Sequence, residues 1–127
     1  MKQNNPLVSV IIPVYNGDRY LKAAIESVLC QDYEPIEIII IDDGSTDNSA
    51  KIAQIFGDKI NYFYQENSGV AVARNTGILR SKGELIAFID QDDLWTENKL
   101  TLQIDYLMKN PNIGLIIGKM HCFLDSN

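Results

Sequence analysis

Two runs of β-branched and apolar residues, each ending abruptly in carboxylates, constrain this chain more than any other feature. Ile38-Ile39-Ile40-Ile41 leads into Asp42-Asp43-Gly44-Ser45, and Leu85-Ile86-Ala87-Phe88-Ile89 leads into Asp90-Gln91-Asp92-Asp93. A run that is apolar at every position lacks the alternation of a strand with one wet face. It reads as an interior strand of a parallel sheet, covered on both sides. In such sheets ligands bind beyond the carboxyl ends of the strands, near the point where strand order reverses. Two strands ending in Asp clusters therefore aim several negative charges at one crevice, where a cation or a donor-rich ligand relieves their repulsion. The pattern points to metal-assisted binding of a phosphorylated ligand.

Strand and helix signals alternate along the rest of the chain. Leu7 to Val14 is a strand pattern whose Pro13 suits a strand end, because it cannot donate to a ladder. Gly17-Asp18 supplies a turn and an N-cap, followed by Leu21, Ala24, Ile25, Val28 and Leu29 at helical spacing to about Gln31. Ile36 to Ile41 is the second strand. Ser45 and Thr46 are placed to cap a helix running through Ile55-Phe56 and stopped by Gly57. Ile60 to Tyr64 is a third strand, Val70 to Arg80 a helix of small residues, and Leu85 to Ile89 the fourth strand. Thr96-Glu97-Asn98 opens a further helix that ends before Asn110-Pro111, Ile113 to Ile117 reads as a last strand, and His121 to Leu124 as the start of another. Repeated β-α-β units with short loops predict a right-handed α/β, Rossmann-like fold, a mostly parallel sheet with helices on both faces. Residues 1–127 read as one domain that stops after a strand with no closing helix, the C-terminally truncated first part of a longer protein.

The net charge of −6 argues against a nucleic-acid partner held by bulk electrostatics, since neither a basic patch nor a basic tail is present. An anionic ligand would need a metal ion. Cys30 and Cys122 have no C-x-x-C spacing and no second His near them, so they read as reduced thiols and not as a zinc site. His121 reads as structural or surface. The N-terminus is polar and unlike a signal peptide, and no apolar run reaches the roughly twenty residues of a bilayer span. These features suggest a cytoplasmic protein, or one working at the cytoplasmic face of a membrane.

Asp90-Gln91-Asp92 is an Asp-x-Asp. In an extended loop its two carboxylates project to one side, and hard oxygen ligands select Mg²⁺ or Mn²⁺, held by one or two carboxylates plus substrate phosphate oxygens. The competing reading is a solvated turn in which Asp93 or Thr96 caps a helix. Asp42-Asp43-Gly44-Ser45 lacks the G-x-x-x-x-G-K-[ST] and G-x-G-x-x-G patterns, so it is not a phosphate loop. Asp43 is suited instead to accept from the N3–H of uracil, a donor that cytosine lacks, or else Asp42 or Asp43 only caps the next helix. Tyr15, in Pro13-Val14-Tyr15-Asn16-Gly17, can stack on a base or stand as a rim aromatic. Arg74 can pair with the acidic loops or with the ligand.

Val8-Ser9-Val10-Ile11-Ile12-Pro13-Val14-Tyr15-Asn16, Ile41-Asp42-Asp43-Gly44-Ser45-Thr46-Asp47, Asn67-Ser68-Gly69 with Ala73-Arg74-Asn75, and Phe88-Ile89-Asp90-Gln91-Asp92-Asp93 occur in that order over nearly the whole chain. Together they resemble the family 2 glycosyltransferases of GT-A fold. The resemblance implies an inverting transferase that moves a sugar from a nucleoside diphosphate donor to an acceptor hydroxyl on a glycan, a lipid-linked sugar or another molecule, and it favours uridine as the base. It implies a nucleotide-sugar site of Pro13, Tyr15, Asn16, Asp42, Asp43, Gly69, Arg74, Asp90 and Gln91, with the base at Tyr15 and Asp43. Asp90 then lies toward the ribose and diphosphate, and Asp92, with Asp90, holds Mn²⁺ or Mg²⁺. The general base of such an enzyme is expected beyond Asn127.

Two rival functions remain at this stage. A sugar nucleotidyltransferase would carry a Gly-rich basic loop after the first strand, where this chain has Tyr15-Asn16-Gly17-Asp18-Arg19. A non-catalytic nucleotide-sugar-binding module would differ only in the missing base. Where a strand edge or apolar patch is left open, a homodimer is a further expectation.

Overall fold

The computed structural model describes residues 4–124. The elements are β1 (Val8–Val14), α1 (Leu21–Leu29), β2 (Ile36–Asp42), α2 (Ser49–Ile55), a 3₁₀ turn (Gly57–Lys59), β3 (Asn61–Tyr64), α3 (Val70–Arg80), β4 (Leu85–Phe88) and α4 (Lys99–Lys109). The four strands form one parallel sheet in the order β3-β2-β1-β4. Strand order runs one way from β1 through β2 to β3 and then jumps to the other side of β1 for β4. The reversal lies between β1 and β4, and in open sheets of this kind ligands bind outside the carboxyl ends of the strands at that point.

β1 is buried at every position, and β2 becomes fully buried from Ile38 onward, as expected of central strands with covered faces. Val8, Val10, Ile12, Ile38 and Ile40 pack against Leu21, Ile25 and Val28 of α1, Ala53 of α2, and Leu100 and Ile104 of α4. Leu21, Ala24, Ile25 and Val28 follow the i, i+3, i+4, i+7 spacing that builds one apolar stripe. On the opposite face Ile11, Ile39 and Ile41 meet Ala73 of α3. There α3 lies close to the sheet because Gly77 has no side chain: a Cβ on it would overlap Ile11 Cγ2.

Three expectations are corrected. The Leu85–Ile89 run was expected to be an interior strand, yet β4 is an edge among the described residues, with Ile86 39% and Phe88 43% exposed. Residues 113–117 and 121–124 form no strand, and Leu115 and Ile117 are exposed. Apolar character alone does not make a strand: its backbone needs a ladder partner, and neither segment pairs with the open side of β4. Helix starts also differ. α1 is preceded by Tyr20 and α2 by Asn48, neither with a side-chain cap bond. The side chains expected to cap them are engaged across loops instead.

Candidate functional site

The crevice is walled by the loops that leave β1, β2 and β4. The first two are stitched together by side-chain to backbone bonds. Asn16 N donates to Ser45 Oγ at 2.9 Å, and Thr46 N donates to Asn16 Oδ1 at 2.8 Å. Gly17 N donates to Ser49 Oγ at 3.0 Å, Asp18 N to Asp47 Oδ2 at 3.0 Å, and Asn48 N to Asp18 Oδ2 at 3.3 Å. Asn16 takes a left-handed backbone, φ 49°, which Asn tolerates better than most residues. Within this clasp Pro13 is buried in β1, while Tyr15 is 49% exposed, presenting its ring at the rim.

Asp42 and Asp43, adjacent in sequence, have different surroundings. Asp42 is 1% exposed, its Oδ2 accepting from Tyr62 Oη at 2.5 Å and its Oδ1 from Ser45 N at 2.8 Å, so it stands behind the crevice wall and shapes the turn at Gly44. Burial, then the bond to Asp42 and its charge, push the Tyr62 hydroxyl well above its usual range. Gly44 has φ 85° and its α-carbon faces Asn67 so closely that a Cβ would lie 2.8 Å from Asn67 N. Asp43 points into that approach. Its Oδ1 accepts from Gln65 Nε2 at 2.7 Å and Ser68 N at 2.8 Å, and its Oδ2 from Gly69 N at 2.9 Å and, at longer range, Asn67 Nδ2 at 3.4 Å. Burial raises the Asp43 carboxyl, but these bonds together outweigh it and hold the group below the usual carboxylate range. Asp43 thus ties down the amides leading into α3, while neither Asp42 nor Asp43 caps α2.

After β4, Asp90 to Asp93 forms a turn closed by Asp93 N donating to Asp90 O at 3.1 Å, where an extended loop was expected. Asp90 pairs with Arg74 from α3, Nη2 to Oδ1 at 2.9 Å, so Arg74 meets an acidic loop directly. Both side chains are about half exposed, and such a pair contributes ~0–1 kcal/mol. The guanidinium also lies 5.9 Å from the Phe88 ring centre, and its Nε is buried with no partner among the described residues. Gln91 turns back onto Tyr15. Asp92 is exposed and makes no hydrogen bond or ion pair among the described residues. Burial, then the charges of Asp92 and Asp90, raise the Asp93 carboxyl. A turn holding three carboxylates, of which only Asp90 has a hydrogen-bonding or ion-pair partner among the described residues, fits a hard cation that completes its shell with oxygens from elsewhere. No group of three or more His, Cys, Asp or Glu among the described residues is arranged to hold a metal by itself.

Sequence reasoning overlooked what Ser45, Asp47 and Ser49 do for the first loop pair and what Gln65, Asn67 and Ser68 do for Asp43. The signal was present as clusters of short polar residues after strands, which bond to nearby backbone in preference to extending a helix. Cys30 and Cys122 are free and exposed, and among the described residues no helix is long and apolar enough to cross a membrane.

A family model described as glycosyl transferase family 2 matches residues 9–127. An uncharacterized glycosyltransferase of Rickettsia typhi is 50% identical over 119 residues, covering 92% of this chain and 37% of its own length. The putative teichuronic acid biosynthesis glycosyltransferase TuaG of Bacillus subtilis is 44% identical over 108 residues, covering 82% of this chain and 43% of its own. The chain thus spans well under half the length of these relatives. Among solved structures, a mannosyltransferase of Pyrobaculum calidifontis in complex with GDP-Man and Mn²⁺ superposes with TM-score 0.81 at 26% identity, over 87% of this chain and 34% of that one. S. aureus TarS 1–349 in complex with UDP does so with TM-score 0.77 at 26% identity, over 82% and 32%.

Proposed function

The chain belongs to glycosyl transferase family 2 and carries its GT-A fold; on that premise we propose that it forms the nucleotide-sugar-binding part of an inverting enzyme that uses a nucleoside diphosphate donor, UDP-sugar in preference. The observation that carries this reading is one juxtaposition. The exposed ring of Tyr15 and the unpartnered carboxylate of Asp92 flank the point where strand order reverses. A nucleotide laid across that point puts its base on the Tyr15 side and its phosphates on the Asp92 side.

Each part of the donor has a counterpart. Tyr15 offers a stacking face. Asp43 has three acceptor positions filled at 2.7–2.9 Å and a fourth filled only weakly by Asn67, and this fourth position is assigned to the base N3–H. Asp92, with Asp90, would hold Mn²⁺ or Mg²⁺, and the bound cation would offset charge gathering on the departing diphosphate. Asp90 faces the ribose and diphosphate with Arg74 fixing its direction. Neighbours in complex with UDP and with GDP-Man and Mn²⁺ support the donor class and the cation. The acceptor, a hydroxyl on a glycan, a lipid-linked sugar or another molecule, and the general base that deprotonates it are assigned to no residue of this chain.

Calorimetry tests the reading. UDP should bind with Mn²⁺ or Mg²⁺ and bind far more weakly after EDTA. Equal affinity with and without the cation would remove Asp92 from the metal role.

A further inference from the structure

In the parallel ladder β1 alternates its backbone groups: Val8 N donates to Pro35 O and Val14 O accepts from Asp43 N on the β2 side, whereas Leu7 O and Ile11 O accept from Leu85 N and Ile89 N on the β4 side, so odd-numbered residues face β4. Pro13 falls on the β4 side and has no N–H, so the β1–β4 ladder cannot continue past Ile89 N donating to Ile11 O. The β1–β4 pairing ends there while β1 runs on to Val14 beside β2. Tyr15 N and O, next on that side, would be left without partners. The Gln91 side chain supplies both: Oε1 accepts from Tyr15 N at 2.8 Å, and Nε2 donates to Tyr15 O at 3.1 Å. A carboxamide presents an acceptor and a donor side by side, so Gln91 can satisfy both backbone groups of Tyr15 as a paired strand residue would. A carboxylate would lack the donor, and Asn is one methylene shorter. Gly17 completes the device, since a Cβ on it would overlap Gln91 Oε1 and Cδ and meet no other side chain as closely.

We propose that Gln91 is a positioning residue, a latch that fastens the base-stacking loop at Tyr15 to the turn bearing Asp92, so that both parts of the donor site are held in one register. Gln91 therefore acts through Tyr15 and not by touching the nucleotide. The inference rests on the nucleotide-sugar reading above, and it makes Gly17 a specific requirement of the latch.

The test combines amide exchange at Tyr15 with calorimetry of UDP and Mn²⁺ on the wild type, Gln91→Ala, Gly17→Ala, Tyr15→Ala and the double variants. The Tyr15 amide should be protected in the wild type and exchange freely in Gln91→Ala and Gly17→Ala. UDP binding should weaken about tenfold in Gln91→Ala, the scale expected when two hydrogen bonds holding a binding loop are lost. Gly17→Ala should add nothing in the Gln91→Ala background, and Gln91→Ala should add nothing in the Tyr15→Ala background. Additive effects in either cycle, or equal UDP affinity in wild type and Gln91→Ala, would overturn the latch and leave the nucleotide reading intact. A protected Tyr15 amide in a wild type that takes up no UDP would overturn the nucleotide reading, and with it the role given to the latch.

Discussion

Asp43 Oδ2 accepts from Gly69 N at 2.9 Å, joining the end of β2 to the residue that opens α3 across 26 positions of sequence. A carboxylate at a helix N-terminus satisfies amides that have no partner within the helix and is favoured by the helix dipole. Here it also fixes the loop that delivers Arg74 toward Asp90.

Asp43→Ala is expected to have two separable effects. Ser68 N, Gly69 N and Gln65 Nε2 lose their acceptor, which should lower stability by about 1–3 kcal/mol in urea unfolding. UDP should lose most of its advantage over CDP. A stability loss with an unchanged UDP to CDP ratio would reduce Asp43 to a holder of the α3 entry.

Acid should act on the same loops. Asp43 and Asp47 both have carboxyls below their usual range, because hydrogen bonds outweigh the upward push of burial; for Asp47 the donors are Ser49 and Asp18. A depressed folded pKa contributes stability that is fully present above the unfolded value near 4 and is lost as pH falls through the folded one. Thermal midpoints should therefore decline below about pH 4, and Asp47→Ala should flatten that decline while costing ~0.5–2 kcal/mol at neutral pH.

Asp93 carries the opposite sign. Its folded pKa is raised by burial and by the charges of Asp92 and Asp90, so stability is lost as pH rises from the unfolded value near 4 through the folded one. Asp93→Asn should raise the neutral-pH melting temperature in EDTA. Asp92→Ala, in contrast, should reproduce the effect of EDTA on UDP binding in the wild type. Preserved cation-dependent binding in Asp92→Ala would count against its assignment.

Gly77→Ala sets two magnitudes against each other. Alanine gains about 1 kcal/mol of helix propensity, whereas overpacking a filled interior costs about 1–3 kcal/mol. Ile11, the residue it would strike, is wholly buried in the central strand and has nowhere to move, so the net change should be destabilising. A melting temperature above wild type would show that α3 can lift from the sheet at little cost.

β1 and β2 were legible because burial imposes a composition that a sequence displays directly, and the half-exposed β3 and β4 because β-branched and aromatic residues suit strands; all four lie within a residue or two of their expected bounds. The acidic loops and Tyr15 were legible for the same reason, as departures from that composition. The bonds joining Asn16 to Ser45, Asp18 to Asp47 and Asp43 to Ser68 were not, since contacts between loops some 25–30 residues apart leave no periodic trace. They also displaced the expected caps, because the side chains of Asp18, Ser45 and Thr46 bond across the gap between loops. Ile113 to Ile117 misled by composition alone, having the residues of a strand without a neighbour to pair with.

Val8 pairs with Ile36 on one side and with Leu85 on the other. During synthesis from the N-terminus the central strand therefore emerges first and is completed last. At ~5–20 residues per second, roughly 4–14 s separate the appearance of Val14 from that of Leu85. Throughout that interval β1, rich in valine and isoleucine, offers an unpaired edge, the kind that recruits strands from other nascent chains. The border of β1 that later faces β4 is thus an open edge during synthesis, and chaperone demand during translation should track how quickly Leu85–Phe88 follows.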